Sequence, residues 1–411
     1  MKRLLIVTPS FLPNTAADMH RARLLAPRAL ENGWKVEILC VDSRDNSSPK
    51  DDALLGKFPA DIPIHRVRAP GQVWHRWFGQ NNLFRRALAP LRMGGERLLD
   101  ERPYDLVYFS STAFNTFTLG PIWKRRYGVP YVLDYQDPWI NDYYRRTGRK
   151  PPGGRLRHGM SQMMARHAEP VAVRDAAGLT AVSPGYLEQL RARYGEVPPA
   201  LVLPFPSEGF GPPEEYGEPV SGMWTSVGRG GEDLQPAAKA LFEAMVRARS
   251  LGNAQLDRVH VRFVGTSYAP DGKGERTIEP IARSAGWNQV EEQTNRVSLI
   301  EARRLQLESE RLVALFSDDS AYQPSKLAGL MRSGRPLLLV APKGHPLHTQ
   351  VSGIAGVTTL AFGPEGVSGD LSSKDLRWTD GPVWPQFFLD NTDERLNARQ
   401  LFDFLAECAS R

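Results

Sequence analysis

The stretch "RLVALFSDDSAYQPSKLAGLMRSGRPLLLVA", residues 311–341, combines three patterns that together indicate a fold class. Its first apolar run, residues 311–317, predicts a buried strand, and residues 336–341 predict a second one. The segment between them, residues 325–333, has the composition of a helix, and Gly334 follows it as a C-terminal cap. A helix that connects two buried strands is the crossover of a parallel sheet, so the stretch predicts an α/β domain.

The same alternation of short apolar runs and helical patterns fills the first half of the chain. Residues 18–31 carry apolar side chains at helical spacing, and Gly33 follows this predicted helix as its end. Such alternation predicts parallel strands with helices on both faces of the sheet. The predicted strands are residues 3–8, 35–41, 63–67, 105–110, 130–135 and 178–183.

The pattern breaks at residues 206–222, which are rich in Pro, Gly and Glu, so we predict a linker there. A chain of 411 residues also favours two domains. We predict domains over 1–205 and 223–390, the second with strands at 223–228, 260–265, 311–317 and 336–341, and an amphipathic helix over 391–411. Two such sheets facing across a cleft would collect ligands beyond the carboxyl ends of their strands.

Composition limits the possible classes of protein. The two cysteines, Cys40 and Cys408, are too few for a disulfide framework and fit a reducing cytosol. The N-terminal apolar run is too short for a signal peptide, and the longest uncharged stretch, residues 106–123, is a poor membrane span. The first 205 residues carry 30 Lys and Arg against 19 Asp and Glu, and the rest carry 22 against 27. The basic half therefore predicts an anionic partner, either an anionic membrane or nucleic acid.

A candidate anion site lies at the start of the helix in the opening stretch. Pro324 suits a first helical turn, because its missing N–H group costs nothing there. The backbone N–H groups of Ser325 and Lys326, the Ser325 hydroxyl and the Lys326 ammonium group would then face an anion. The alternative is an ordinary helix start with a solvated lysine, which a lone Ser-Lys pair favours.

A second candidate is the turn "SVGRGG", residues 226–231, after the first strand of the second domain. Gly228 and Gly230 would let a phosphate approach the backbone, and Arg229 could pair with it through two hydrogen bonds. A dinucleotide fingerprint would need glycine at Asp233, so that motif is absent. Gly-rich turns are also common as plain loops. Together with Ser325 and Lys326, the turn predicts a diphosphate held from two sides, with Tyr322, Pro324, Leu327, Gly230 and Gly265 near the nucleotide or sugar.

The first domain offers its own polar loops. Asp134, Gln136 and Asp137 end a predicted strand, where a carboxylate could contact a sugar hydroxyl or accept a proton from the acceptor. The alternative for Asp137 is that it caps the next helix. Asp18, His20 and Arg21 follow the first strand and could face the cleft, although His20 could equally be a surface helix residue. We predict that Asp18, Arg21, Asp134 and Gln136 lie on the acceptor side.

A basic aromatic segment suggests where an anionic surface would bind. Residues 74–92 combine Trp74, Trp77, Phe78 and Phe84 with Arg76, Arg85, Arg86 and Arg92, as an interfacial segment on anionic lipid would. A solvated basic helix is the alternative. Residues 143–159 are a further basic loop predicted on the same side. No spacing of His or Cys indicates a metal site, since His158 and His167 are nine residues apart.

Taken in order, these motifs resemble the retaining glycosyltransferases of the GT-B fold, in the large bacterial family (family 4-like) that includes lipopolysaccharide and capsule sugar transferases. The resemblance covers nearly the whole chain. It implies two Rossmann-like domains, an acceptor site in the first, a UDP- or GDP-sugar in the second, retention of configuration without a metal, and a last helix that crosses back to the first domain. It assigns Arg229, Lys326 and Ser325 to the donor diphosphate. The segments that carry it are "RLLIVTPSFLPN", "ENGWKVEILCV", "YGVPYVLDYQDPW", "AAGLTAVSPGYLEQL", "SVGRGG" and "YQPSKLAGLMRSGRPLLLV".

The chain departs from the family pattern at several positions. The family often has two glutamates eight residues apart in the donor loop, and Ala321 and Gly329 occupy those positions here. Asp318 or Asp319 could replace the first glutamate. Gln136 stands at the position of the usual histidine.

The leading hypothesis is therefore a cytoplasmic glycosyltransferase, with peripheral attachment to the inner face of the membrane as a further expectation. Its predicted catalytic residues are Asp137, Asp318, Asp319 and His20, its acceptor is a glycan or a lipid-linked sugar, and no cofactor is expected. The alternatives are a GT-B sugar-nucleotide epimerase and a non-catalytic protein that binds nucleotide or glycan. Nucleic-acid binding is disfavoured, because no recognised nucleic-acid motif is present.

Overall fold

The computed structural model describes residues 1–46, 48–70, 83–149, 151, 154–208, 218–267, 269, 272–318, 326–372, 376 and 381–411. Its internal contacts divide the chain into two compact units. Unit 1 contains Met1–Pro206 and Asp390–Arg411, and unit 2 contains Ser207–Leu389. Each unit is built around one seven-stranded sheet.

The sheet of unit 1 is parallel throughout, and its strand order is β3-β2-β1-β4-β5-β6-β7. Its strands are β1 (Lys2–Val7), β2 (Trp34–Val41), β3 (Ile64–Val67), β4 (Leu106–Ser110), β5 (Tyr131–Tyr135), β6 (Gly178–Ala181) and β7 (Ala200–Val202). The helices of this half of the chain are α1 (Met19–Leu25), α2 (Asp52–Gly56), α3 (Leu83–Arg86), α4 (Leu88–Glu101), α5 (Leu119–Tyr127), α6 (Tyr143–Thr147), α7 (Arg155–Arg174) and α8 (Pro184–Tyr194).

The sheet of unit 2 repeats this order as β10-β9-β8-β11-β12-β13-β14, with only β14 antiparallel among the described strands. Its strands are β8 (Val220–Val227), β9 (His260–Val264), β10 (Val290–Gln293), β11 (Ser309–Leu315), β12 (Leu337–Pro342), β13 (Val357–Gly363) and β14 (Gly366–Ser368). The remaining helices are α9 (Gln235–Ser250), α10 (Glu279–Ser284), α11 (Leu299–Leu307), α12 (Leu327–Arg332), α13 (Leu347–Gln350), α14 (Gln386–Thr392) and α15 (Glu394–Ala409).

The predicted α/β class with two Rossmann-like sheets is confirmed, and the differences lie in single elements. The strands β7, β10, β13 and β14 are absent from the prediction, because they are short or place charged and Thr residues between apolar ones. The predicted linker extends too far, since Val220–Gly222 already belong to β8, and residues 209–217 lie outside the described residues.

The helix predicted over residues 18–31 is shorter than its apolar pattern. It ends at Leu25 and continues as two 3-10 turns, of which the first contains Pro27. Proline lacks the N–H group that an α-helical turn requires, so the apolar pattern continues while the α-helix does not. Gly33 then ends the segment with a φ of +79°, as predicted for a C-terminal glycine.

The last helix, α15, packs within unit 1. Trp34 at the start of β2 donates from its indole Nε1 to the carbonyl of Phe402, at 3.3 Å, and Lys2 donates to the carbonyl of Ala406, at 2.9 Å. Arg28 forms an ion pair with Glu394 at the start of the helix. The helix thereby covers strands from a part of the chain that precedes it by more than 350 residues.

Both strand orders reverse at one place, between β1 and β4 in unit 1 and between β8 and β11 in unit 2. In parallel α/β sheets, ligands bind beyond the carboxyl ends of the strands at this reversal. Cys40 and Cys408 are buried, and neither forms a disulfide. Among the described residues, no helix combines the length and the apolar character that crossing a membrane requires.

Candidate active site

The Gly-rich turn follows β8 at the strand-order reversal of unit 2. Gly228 and Gly231 have φ angles of +133° and +129°, which side chains other than glycine rarely adopt. A methyl group at Gly228 would lie 2.9 Å from Lys326 Nζ, and one at Gly230 would lie 2.7 Å from Thr277 Oγ1. The lysine ammonium group therefore packs directly against the backbone of the turn, as only glycine allows.

Lys326 immediately precedes α12 and brings its charge to this turn. Burial of its ammonium group, together with the nearby charge of Arg229, lowers the pKa of Lys326 to about 8. No carboxylate of the described residues lies within ion-pair distance of this ammonium group. A cation that is held in such surroundings gains most from an anion that supplies the missing negative charge.

Arg229 already has a carboxylate partner. Its two terminal nitrogens donate to Asp233 over 2.8 and 2.7 Å. Burial raises the pKa of Asp233, but the hydrogen bonds and charge of Arg229, with the Ser317 hydroxyl, outweigh burial and hold that pKa below its usual value. The paired hydrogen bonds that the sequence assigned to a phosphate are thus made within the protein, and a diphosphate would have to share Arg229 with Asp233.

A buried carboxylate, Glu292 in β10, supports the turn from below. Its oxygens accept hydrogen bonds from the Thr266 hydroxyl at 2.7 Å and from the backbone N–H groups of Thr277, Ile278 and Glu279 at 2.8 to 3.0 Å. Thr277 in turn accepts a hydrogen bond from the Gly231 N–H group at 3.2 Å. Glu292 therefore holds the segment against which the Gly-rich turn rests.

The remaining donor-side residues divide into described and undescribed ones. Asp318 is half-buried and directly follows Ser317, which is buried beyond the end of β11. Gly265 follows β9 with a φ of +76°, and Leu327 is the first residue of α12. In the described residues α12 begins at Leu327, and Lys326 precedes it as the N-cap residue. Asp319, Ala321, Tyr322, Pro324 and Ser325 lie outside the described residues.

In unit 1, the predicted acceptor residues form one interior network. Arg21 Nε lies 2.9 Å from Asp134 Oδ2, and both side chains are fully buried. Asp134 also accepts hydrogen bonds from Ser110, Gln136 and Thr180 at 2.7 to 2.9 Å. Arg21 donates further to the carbonyl of Leu203. The expectation that Arg21 and Asp134 face an acceptor is therefore corrected, because each is enclosed and paired within unit 1.

Asp18 and Gln136 complete this network. Asp18 accepts hydrogen bonds from the Ser111 hydroxyl at 2.8 Å and from Thr112, yet burial prevails and raises its pKa. Gln136 donates to the backbone carbonyl of Asp18 at 3.1 Å and to Ser110. Like the ion pair, both residues are buried, so they join the loops after β1, β4 and β5 to one another.

The two remaining candidates of unit 1 are closer to solvent. Asp137 is exposed next to the buried Gln136. It does not cap the next helix, since the residue that precedes α6 is Asp142. His20 is half-buried in the first turn of α1, and its Nδ1 accepts a hydrogen bond from Arg23 at 3.4 Å. Of the first-domain predictions, Asp137 has the exposure that a group meeting a substrate requires.

Several residues of the site were missed by sequence reasoning. Asp233 and Thr277 contact the Gly-rich turn, Ser317 contacts Asp233, and Glu292 holds the segment beneath the turn. The signal for Glu292 was the alternation in "VEEQ", residues 290–293, whose burial alternates so that this glutamate points inward. Among the described residues, no three His, Cys, Asp or Glu side chains are grouped as metal ligands.

Two doubly wound sheets, each with polar loops at its strand-order reversal, give the chain a fold of the GT-B type, which confirms the predicted fold class. Residues 20–207 match the family model described as a glycosyl transferase 4-like domain. No curated protein matches the chain in sequence.

Solved structures agree with the fold over the whole chain. Sucrose-phosphate synthase of Thermosynechococcus elongatus has a TM-score of 0.59 at 12% identity, covering 100% of this chain and 97% of its own. HepE of Anabaena, solved in complex with UDP and glucose, has a TM-score of 0.57 at 15% identity, with 100% and 98% coverage. UGT2 of Phytolacca americana, complexed with UDP-2fluoro-glucose and pterostilbene, has a TM-score of 0.53 at 14% identity, with 99% and 100% coverage.

Proposed function

We propose that the protein transfers a sugar from a UDP- or GDP-sugar to a glycan or a lipid-linked acceptor, with retention of the anomeric configuration and without a metal. The observation that carries this proposal is the Lys326 ammonium group packed against the Gly-rich turn at the strand-order reversal of unit 2. The complexes of HepE with UDP-glucose and of UGT2 with UDP-2fluoro-glucose, in the same fold, support a nucleotide-sugar donor.

The charges at the turn suit the chemistry of the donor. When the bond between the anomeric carbon and the diphosphate oxygen breaks, the bonding electrons leave with the diphosphate, whose negative charge grows. Lys326 stabilises that charge, and Arg229 contributes while it remains bound to Asp233. Two side-chain cations at the turn supply charge that a metal ion would otherwise provide, which is why we propose metal-independent transfer.

The acceptor side of the reaction rests on fewer residues. We assign Asp137 to the acceptor hydroxyl, because it is the exposed carboxylate beside the interior network of unit 1. Asp318, with Asp319, is assigned to the donor sugar, and His20 is kept as a second candidate near the acceptor. In this proposal Arg21, Asp134, Asp18 and Gln136 position the loops and do not touch the substrate. The enzyme would work in the cytoplasm on acceptors at the inner face of the membrane.

Nucleotide binding is the first test of the proposal. Thermal-shift measurements with UDP, GDP, TDP and ADP should show a rise in melting temperature for one base, since a ligand that binds the folded state stabilises it. Lys326→Ala should lose most of that rise. The absence of a shift with every nucleotide would contradict the donor site.

Transfer is the second test, with the nucleotide-sugar that binding selects. Lys326→Ala should reduce turnover on the order of 10²-fold, because it removes a cation that acts on the developing charge. Lys239→Ala, which removes an exposed lysine of α9, is the matched control and should leave turnover unchanged. Equal turnover in Lys326→Ala and wild type would refute the diphosphate role. The anomeric configuration of the product, measured by NMR, tests retention.

The donor loop keeps one alternative function open to experiment. Gly329 offers no carboxylate where the family has one, and a methyl group there would meet Ser207 Oγ only at 3.5 Å. A protein that binds nucleotide without transferring sugar would show the thermal shift and no turnover with any donor and acceptor. That combination of results would replace the transferase with a nucleotide-binding protein.

A further inference from the structure

Helix α7 (Arg155–Arg174) has an inner face that packs within unit 1 and an outer apolar face that the described residues do not cover. The inner face packs within unit 1 through the buried residues Ala165, Glu169 and Ala172. The outer face carries Leu156, and the other apolar residues at the same helical spacing are Met160, Met163, Met164 and Val171. A surface helix normally buries its single apolar stripe against the core, so a second stripe that faces solvent needs an explanation.

The outer face is strongly exposed. Leu156 is 91% exposed, Met160 53%, Met163 56% and Met164 47%, although they lie within nine residues of one another. Gln162 anchors the helix beneath them, because its side chain accepts a hydrogen bond from the Asn141 N–H group at 2.9 Å and donates to the carbonyl of Trp139. The apolar face is therefore held in place by contacts on the opposite side of the helix.

Basic residues border this apolar face on both sides. Helical spacing places Arg157 along one edge and Arg155 and Arg166 along the other. Between residues 143 and 168 the sequence contains no Asp or Glu and seven basic residues, namely Arg145, Arg146, Arg149, Lys150, Arg155, Arg157 and Arg166. An apolar strip between two positive borders is the pattern of a helix that lies in the headgroup region of an anionic bilayer.

A neighbouring helix extends the same surface. Arg85 of α3 donates to the sulfur of Met164 over 3.5 Å. Methionine is unbranched and polarizable, so it adapts to an irregular surface such as that of lipid chains. Arg85, which precedes α4 in the chain, thus adjoins the apolar face of α7.

We propose that the outer face of α7, formed by Leu156, Met160, Met163 and Met164 with the arginines that border it, docks the protein on an anionic lipid bilayer. A second copy of the chain fits this face less well. A symmetric contact through α7 would place the basic borders of two copies against each other, where like charges repel. Anionic headgroups instead complement the positive charges of the stretch, of which Arg145 and Arg166 also pair with Asp142 within the protein.

This docking surface deepens the membrane part of the proposed function, yet it is measured without nucleotide or acceptor. Lys326→Ala should bind vesicles as the wild type does, since its substitution affects only the donor site. Failure of sugar transfer and failure of vesicle binding are therefore separate results.

The test is sedimentation of the full chain with vesicles of phosphatidylglycerol and phosphatidylcholine, compared with phosphatidylcholine alone. We expect binding to the anionic vesicles only, and weaker binding as salt rises from about 0.1 to about 0.5 M. The variant Leu156→Gln, Met160→Gln, Met163→Gln, Met164→Gln should bind at least about tenfold more weakly. Gln is a good helix former, so circular dichroism should show an unchanged fold. The matched control Leu251→Gln, Ile300→Gln changes exposed apolar residues of unit 2 and should bind normally.

Charge is tested separately by Arg145→Gln, Arg155→Gln, Arg157→Gln, for which we expect a loss on the order of 10²-fold with anionic vesicles. The proposal is overturned if the wild type does not bind anionic vesicles or if the fourfold Gln variant binds them as well as the wild type does. It is also overturned if light scattering shows that the wild type is a dimer and the fourfold Gln variant a monomer, because the face would then bind a second copy of the chain.

Discussion

The two strand-order reversals occupy the same place in their sheets and carry opposite arrangements of charge. In unit 1, Arg21 and Asp134 are both fully buried and neutralise each other beneath the loops. In unit 2, Lys326 meets the backbone of a Gly-rich turn, and within the described residues no carboxylate pairs with it. At the reversal in unit 1 the two charged side chains pair with each other. At the reversal in unit 2 the described residues leave the Lys326 charge for a bound anion to neutralise.

The difference follows from the residues after the first strand of each sheet. The segment between β1 and α1 in unit 1 contains no glycine, so its side chains fill the space beyond the strand. The turn after β8 contains Gly228, Gly230 and Gly231, and a methyl group at either of the first two would meet a neighbouring side chain at less than 3 Å. The same topology thus carries buried side chains that connect loops in unit 1 and a candidate ligand site in unit 2.

The largest expected effect comes from breaking the closed arrangement of unit 1. Arg21→Met should lower the free energy of unfolding by about 3–5 kcal/mol, because it leaves the Asp134 carboxylate buried without its cation. Urea denaturation measures this loss. The control is Arg23→Met, two residues further along α1, which should cost under about 1 kcal/mol. If Arg21→Met is as stable as Arg23→Met, the ion pair of Arg21 and Asp134 does not hold the loops of unit 1 together.

A smaller effect should follow from loosening the support of the unit 2 turn. Glu292→Gln removes the charge that accepts hydrogen bonds from Thr266, Thr277, Ile278 and Glu279, so we expect a loss of about 1–3 kcal/mol in unfolding free energy. Nucleotide affinity should fall as well, because the Gly-rich turn rests on Thr277. The neighbour Glu291 is exposed, and Glu291→Gln should change neither quantity. If the Glu292→Gln protein is destabilised but binds nucleotide normally, Glu292 contributes to stability and not to the nucleotide site.

The smallest effect, and the sharpest test of the open arrangement, is the dependence of diphosphate binding on pH. The protonated form of Lys326 binds the anion, and its pKa in the free site is about 8. Its contribution to affinity should therefore be level below pH 8 and fall by up to about tenfold per pH unit above it, until the pH passes the higher pKa of the bound state. Calorimetric titration with UDP or GDP measures the fall. Lys326→Arg, which stays charged over this range, should show no such fall.

The fold could be predicted because its main signals are local. The strands that were predicted are short apolar runs between turn residues, as in "RLVALFS" and "PLLLVA", and the structure places strands at both. Strands such as β10 were not predicted, because "VEEQ" does not have the composition of a buried strand. Glu292 can be buried there only because it accepts hydrogen bonds from another segment, such as that from the Ile278 N–H group. Propensity alone does not contain that partner.

The sequence was sufficient to predict which residues belong to the candidate site, but not which contacts they make. Gly228, Arg229 and Lys326 were singled out from separate stretches, and the structure brings the turn and the lysine together. Their environment was not foreseeable, because the lowered pKa of Lys326 and the pairing of Arg229 with Asp233 arise from tertiary packing. In unit 1, Arg21 and Asp134 were recognised as polar loop residues, but only the structure shows that they neutralise each other inside the protein.

The return of α15 to unit 1 has a consequence for how the protein is made. Unit 2 is inserted in the sequence between the last strand of unit 1 and its final helix, so the ribosome completes unit 2 before unit 1 has all its parts. Until α15 emerges, the indole N–H group of Trp34 lacks the Phe402 carbonyl, and Lys2 lacks the carbonyl of Ala406. A nascent chain should therefore expose an unfinished first domain to chaperones and proteases for longer than a domain that is contiguous in sequence.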